Sequence, residues 1–189
     1  MYFVRHGETD WNREARLQGQ RDIDLNATGR VQAEEAGRRL SALLPEPKGL
    51  DYVASPLRRT RDTMELMRGA LGLFRTDYRI DGRLKELTFG RWEGLTWREV
   101  RAQDAAGATR RERDKWHFVP PDGESYAMLA DRLRPVVDGI DRDIVMVSHG
   151  GVARALLAMM AGVPHHDAPR IDIWQGRILV IESGHYRWA

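Results

Sequence analysis

The 189-residue sequence contains no cysteine. That excludes disulfides, thiolate nucleophiles and cysteine–zinc sites, and it suits a reducing compartment, so a cytoplasmic location is expected. No stretch reaches 18 apolar residues, and no membrane span is expected. The N-terminus lacks a basic leader followed by an apolar core, so it reads as carrying no secretory signal. Lysine is scarce. Among 30 cationic residues only Lys48, Lys85 and Lys115 are lysine, and the rest are arginine, which forks onto phosphate. Acidic residues are interspersed throughout and the net charge is only +2, so the basic stripe that nucleic acid requires is not visible. Nucleotide-binding glycine patterns are missing, and Ser148 has Met146 where a nucleophile elbow needs glycine. Repeats, linkers and low-complexity tracts are also missing, which leaves one domain over residues 1–189.

What is present alternates between strands and helices. Residues 1 to 5, 51 to 55 and 143 to 151 read as buried strands, with a short one around 77 to 80. Thr28 caps a helix running to about Leu44. Ser55-Pro56 starts another, with Leu57, Thr60, Met64, Met67 and Leu71 at helical spacing. Thr96 and Glu99 form a capping box for a helix to about Ala106. Residues 107 to 123 read as irregular. A further helix starts at Ser125, where Pro135 is expected to kink or shorten it. A helix begins near Val152, and residues 171 to 182 read as a hairpin turning at Gln175-Gly176. The pattern predicts an α/β fold, a three-layer α/β/α sandwich whose sheet is mostly parallel with an antiparallel edge.

His6 ends the first strand and His149 a later one. Ligand sites in open α/β sheets gather at the carboxyl ends of strands, so two histidines about 140 residues apart can meet there. Each is followed by glycine, which allows close approach to the backbone. Gly150 also precedes a helix, whose first N–H groups face an anion.

The stretch Arg5-His6-Gly7-Glu8-Thr9-Asp10-Trp11-Asn12 resembles the signature of the histidine phosphatase superfamily, which includes phosphoglycerate mutases and small phosphatases. Further blocks at 55 to 63, 84 to 96, 121 to 126 and 145 to 154 are similar to that family's in the same order. The resemblance implies a phosphoglycerate mutase-like fold and assigns roles. His6 is the nucleophile. Arg5 and Arg59 clamp the phosphate, with His149 as a second neutralising partner. Asn12 donates to a phosphate oxygen. Gln18, before Gly19, faces phosphate or leaving group. Glu86 is the acid and then the base. Gly150 completes the phosphate contacts.

The chemistry is self-consistent. Neutral imidazole is a good nucleophile near pH 7. Two guanidiniums neutralise the equatorial oxygens of a phosphate dianion. Transfer to His6 and then to water splits one hydrolysis into two steps, and no metal or other cofactor is needed. The expected activity is metal-independent hydrolysis of a small phosphorylated metabolite by a monomer or homodimer. The alternatives are a cofactor-dependent phosphoglycerate mutase and a catalytically silent module that binds phosphorylated ligands. Mutases carry a longer insertion after the third block, whereas the segment around 92 to 126 is short here and reads as a substrate-covering excursion. Within it, residues 109 to 115 are rich in arginine and stand between a solvated helix end and a substrate contact. Trp11 and Trp92 flank motif residues as candidate pocket walls, and His117 is a weak candidate for substrate contact. His165-His166-Asp167 is not read as a metal site, because adjacent histidines in extended chain point apart.

Overall fold

A computed structural model describes residues 1–189. Strand β1 (Tyr2–Arg5) leads to a short helix α1 (Asp10–Arg13), then to α2 (Ala27–Leu43), β2 (Asp51–Ala54), α3 (Arg58–Ala70) and a two-residue β3 (Arg79–Ile80). Helices α4 (Trp97–Gln103), α5 (Ala105–Arg113) and α6 (Tyr126–Asp138) precede β4 (Ile144–Ser148) and α7 (Gly150–Met160). A hairpin of β5 (Ile178–Glu182) and β6 (His185–Trp188) closes the chain. The sheet order is β3-β2-β4-β1-β5-β6. The first four strands run parallel, and β5 and β6 are antiparallel to their neighbours.

Alternation along the strands makes two cores. Val4, Val145, Val147 and Ile178 face α2 and α3, meeting Ala36, Leu40, Met64 and Met67. Phe3, Met146 and Leu179 face α6 and α7, meeting Leu129, Leu133, Val152 and Leu156. Burying both faces explains why β4 reads as an unbroken apolar run rather than an alternating one. A smaller cluster of Leu17, Trp92, Val100 and Ala108 supports the excursion beside the sheet. No helix is long and apolar enough to cross a membrane.

Several local expectations are corrected. Asn26, not Thr28, caps α2, accepting a hydrogen bond from Gly29 N at 2.9 Å. Leu57 holds the cap position of α3, and Ser55 lies outside the helix. The irregular stretch contains α5, whose cap Asp104 accepts from Gly107 N at 2.8 Å. Helix α6 runs through Pro135 to Asp138. Pro135 and Asp131 are both exposed, so the Asp131 carbonyl that loses its helical partner faces water. Residues 171 to 177 form no strand, and the hairpin turns at Ser183-Gly184, whose φ angles of 50° and 77° suit the twist of paired strands.

Candidate active site

Register brings the two histidines together. β1 and β4 are adjacent and parallel, with Arg5 opposite Ser148. The next residues, His6 and His149, therefore leave the sheet side by side, their ring centroids 5.3 Å apart and edge to face. A cavity of about 480 Å³ opens there, at the carboxyl ends of the strands. Arg5, His6, Asn12, Gln18, Gly19, Arg59, Glu86 and Gly150 all line it. His149 does not reach that wall and is fully buried against His6.

The His6 ring is oriented by its own turn. Nδ1 lies 2.8 Å from the Gly7 carbonyl, an acceptor only, so Nδ1 carries the proton and donates. The lone pair is then on Nε2, which accepts from Arg59 Nε at 3.3 Å. Burial, then Arg59, then Arg5 push the His6 pKa well below 6.5, so the imidazole stays neutral. His149 is held neutral in the same way, by burial first and Arg59 second.

Arg59 is wholly buried, although its place on an amphipathic helix makes a solvated side chain the ordinary expectation. Besides His6 it donates to Arg21 O at 2.6 Å and Gly19 O at 2.8 Å. Gly19 thus acts partly through Arg59. Its φ of 51° suits glycine, and a Cβ there would strike the Glu93 carboxylate. Arg5 donates through Nη1 to Ile173 O at 2.9 Å. Burial lowers both guanidiniums to about 10, and they remain cationic at neutral pH. Arg58, by contrast, is exposed and pairs with Asp24 at 3.3 Å.

Three buried side-chain polar atoms have no hydrogen-bond partner: Arg5 Nε, Gln18 Oε1 and His149 Nδ1. Folded proteins satisfy nearly all such atoms. All three belong to residues picked out by motif; Arg5 and Gln18 line the cavity, and His149 lies buried against His6.

Glu86 sits at the start of α7. Its Oε2 accepts from Gly151 N at 3.0 Å and its Oε1 from Leu87 N at 3.0 Å. Ser148 Oγ anchors the same loop by donating to Leu84 O at 2.8 Å. A Cβ on Gly151 would collide with Leu87 and with the Glu86 carboxylate, whereas one on Gly150 would make ordinary contacts. The sterically demanding glycine after His149 is therefore the second of the pair. Gly7 is also reassigned, because its missing side chain admits the Gly29 backbone of α2 rather than a ligand.

Other positioning residues escaped the sequence reading. Gln175 Nε2 donates to His6 O and to Asn12 Oδ1, each at 3.1 Å. Asn12 Oδ1 also accepts from Thr9 N and Thr9 Oγ1. With its oxygen so engaged, the Asn12 amide leaves its N–H donors for the cavity. Ser55 Oγ and His149 Nε2 share a hydrogen bond of 2.8 Å. Glu93 ties the loop before Arg21 to the loop after Glu86, accepting from Gln20 N and Thr88 Oγ1. The Thr9–Asn12 pair is the capping box of α1 and follows the helix-start spacing; the other bonds span the tertiary fold or a loop of irregular shape and follow none.

The aromatic wall is Phe89, Trp97 and Tyr126, not Trp11 or Trp92, and Trp92 belongs to the satellite core. Arg111 and Lys115 of the arginine-rich stretch reach the cavity. His117 is exposed and pairs with Asp114. His165 stacks on Trp116 at 4.1 Å, and His166 lies 3.2 Å from Asp167 on the surface.

A neutral imidazole with two guanidiniums nearby, at the end of a parallel strand, is an arrangement suited to phosphoryl transfer. The model of the histidine phosphatase superfamily, branch 1, matches residues 1–189, and the chain belongs to that superfamily. It is 36% identical over 199 residues to a glucosyl-3-phosphoglycerate phosphatase of Mycolicibacterium vanbaalenii, covering 99% of this chain and 85% of the relative. It is 34% identical over 176 residues to an acid phosphatase of Mycobacterium tuberculosis, covering 90% and 79%. The structure of a mycobacterial glucosyl-3-phosphoglycerate phosphatase with VO3 superposes with a TM-score of 0.81 at 33% identity, over 100% of this chain and 96% of the other.

Proposed function

We propose that the chain is a phosphomonoester hydrolase acting through a phosphohistidine at His6 Nε2. One observation carries the reading. The Gly7 carbonyl fixes the Nδ1–H tautomer, leaving the Nε2 lone pair beside the Arg59 guanidinium. A phosphate dianion bound by Arg5, Arg59 and the Asn12 amide meets that lone pair. The Nε2–P bond forms as the ester P–O bond breaks, and Glu86 gives its proton to the departing oxygen. Glu86 then takes a proton from water, which attacks phosphorus and releases His6 and orthophosphate. Arg5 and Arg59 balance the charge of the phosphate, with His149 neutral behind His6, so the scheme assigns no metal.

Phosphatase is favoured over mutase because the relatives at 36% identity are named phosphatases, although some at about 33% are named probable phosphoglycerate mutases. Their substrate names support a small phosphorylated metabolite. We read residues 1–189 as one domain, with 92 to 126 covering the substrate, and place it in the cytoplasm. Trp97, Arg101, Lys115 and Tyr126 in the cavity wall support the covering role. The test is p-nitrophenyl phosphate hydrolysis in EDTA, with no mutase turnover of 3-phosphoglycerate in the presence of 2,3-bisphosphoglycerate. Turnover that survives His6→Ala would reject the mechanism.

A further inference from the structure

The two site histidines are held by opposite means. His6 Nδ1 donates to a carbonyl, which leaves a lone pair on Nε2. His149 has no such acceptor. Its Nε2 lies 2.8 Å from Ser55 Oγ, and its Nδ1 has no partner. Burial first and Arg59 second keep this ring neutral, so it carries one proton, and Ser55 decides which nitrogen holds it.

The backbone fixes Ser55 in place. β2 and β4 are adjacent and parallel, with Ala54 opposite Val147, so the residue after β2 arrives beside the end of β4. Ser55 N donates to Val147 O at 3.1 Å, and Ser55 O accepts from Thr60 Oγ1 at 2.8 Å. The side chain is fully buried, and bulk solvent does not reach it. Ser55 Oγ has two partners. One, Leu57 N at 3.5 Å, is a donor and takes a lone pair. The hydroxyl proton is left with a single acceptor, His149 Nε2. A proton on Nε2 would strand both the Ser55 hydroxyl hydrogen and the Nδ1 lone pair, two unpaired groups where the alternative leaves one.

The proton therefore sits on Nδ1 of a buried ring 5.3 Å from the His6 ring, centroid to centroid. An unpaired N–H at that place suits an anion, and a lone pair would repel one. A phosphoryl group bonded to His6 Nε2 brings its oxygens to the ring against which His149 packs, so His149 need not line the open cavity to meet them.

We propose that Ser55 is a positioning residue that fixes the Nδ1–H tautomer of His149, so that a neutral N–H donor faces the phosphoryl group while His6 carries it. This rests on the phosphohistidine reading. The Nε2–P bond of His6 forms and breaks as before, and His149 keeps its proton and adds no charge.

Nitrogen-15 NMR of histidine-labelled protein reads the tautomer directly. Two-bond proton–nitrogen correlations distinguish the two neutral forms, and His149→Gln assigns the signal among six histidines. The wild type should show Nδ1–H at residue 149. Ser55→Ala should shift it to Nε2–H or to an exchanging mixture, and Ser55→Thr, which keeps the hydroxyl, should restore it. Ser55→Cys, similar in shape but a weaker donor, should fall between them, and it serves if alanine does not fold. Calorimetric Kd values read the consequence. Vanadate adopts the five-coordinate geometry of phosphorus in transfer, and orthophosphate does not. Ser55→Ala should weaken vanadate about tenfold and orthophosphate by about threefold or less, with kcat on p-nitrophenyl phosphate falling about as far as vanadate affinity. A role in folding alone would affect both anions equally. An Nε2–H tautomer in the wild type, an unchanged tautomer in Ser55→Ala, or equal effects on the two anions would overturn the proposal. Should the wild type turn over no p-nitrophenyl phosphate, the phosphatase reading fails separately, and the tautomer with the two affinities still decides the place of Ser55.

Discussion

Replacing Arg59 by methionine should separate activity from stability. The side chain is wholly buried and donates to His6 Nε2, Arg21 O and Gly19 O. Removing a preorganised donor aimed at the transferring group costs about 2.7–4 kcal/mol in the transition state, or about 10²–10³-fold in kcat/KM. The stability change is much smaller because two effects oppose. Burial depresses the Arg59 pKa to about 10, well below the ordinary guanidinium range, which corresponds to about 3 kcal/mol of destabilisation by the charged form. That penalty applies in full below pH 10 and is relieved as pH rises above about 10 towards the ordinary guanidinium range, where the unfolded chain binds more protons. Methionine removes the penalty. It also strands two backbone carbonyls, at about 1–3 kcal/mol each where water cannot reach them. The two sums nearly cancel, and methionine retains most of the apolar stem. Steady-state kinetics on p-nitrophenyl phosphate and urea unfolding at pH 7.5 measure both quantities. Activity within about tenfold of wild type would refute the clamp. A stability loss above about 5 kcal/mol would refute the claim that the buried charge is itself unfavourable.

Other perturbations follow from the same geometry. His6 and His149 are held neutral by burial, while an unfolded histidine takes up a proton near pH 6.5. Stability should therefore fall as pH drops below 6.5, by about 2 kcal/mol per histidine at pH 5. Urea unfolding at pH 7.5 and 5 should show this loss, and it should shrink in His6→Gln/His149→Gln; an unchanged difference would contradict the assignment. Gly151→Ala forces Glu86 and Leu87 aside, so kcat should fall at least about tenfold while orthophosphate inhibition changes little. An equal loss of orthophosphate affinity would place the damage in the clamp instead. Gln175→Leu frees the His6 carbonyl and one bond to Asn12, which should cost about 1–3 kcal/mol and about 2–12 °C in Tm. The same variant should lose about tenfold in kcat/KM, and a lowered Tm with intact kinetics would leave Gln175 a structural residue only.

Legibility in the sequence follows how local each feature is. Strand β4 and helices α3 and α7 carry their signals in consecutive residues. The convergence of His6 and His149 follows from parallel strands alone, once the two strands are neighbours. Arg59 needed its motif, because nothing local distinguishes a buried guanidinium from a solvated one. Gln175 was beyond reach. Its two bonds join segments more than 160 residues away, and the alternating apolar pattern around it imitates a strand. The displaced hairpin comes from that same alternation, although Ser183-Gly184 carries a genuine turn signal. Helix α5 was hidden by Gly107, and Asp104 three residues earlier was the cap that could have revealed it. Trp97 outranks Trp92 in the cavity only because the excursion folds back, which adjacency to a motif residue does not encode.

The most direct test of the account is mass spectrometry of enzyme quenched without acid during turnover of a phosphomonoester. A phosphoryl group on the peptide containing His6, absent from the His6→Ala protein and lost on incubation in water, is the predicted result. Rapid phosphate release with no covalent adduct at any time point would contradict the covalent mechanism.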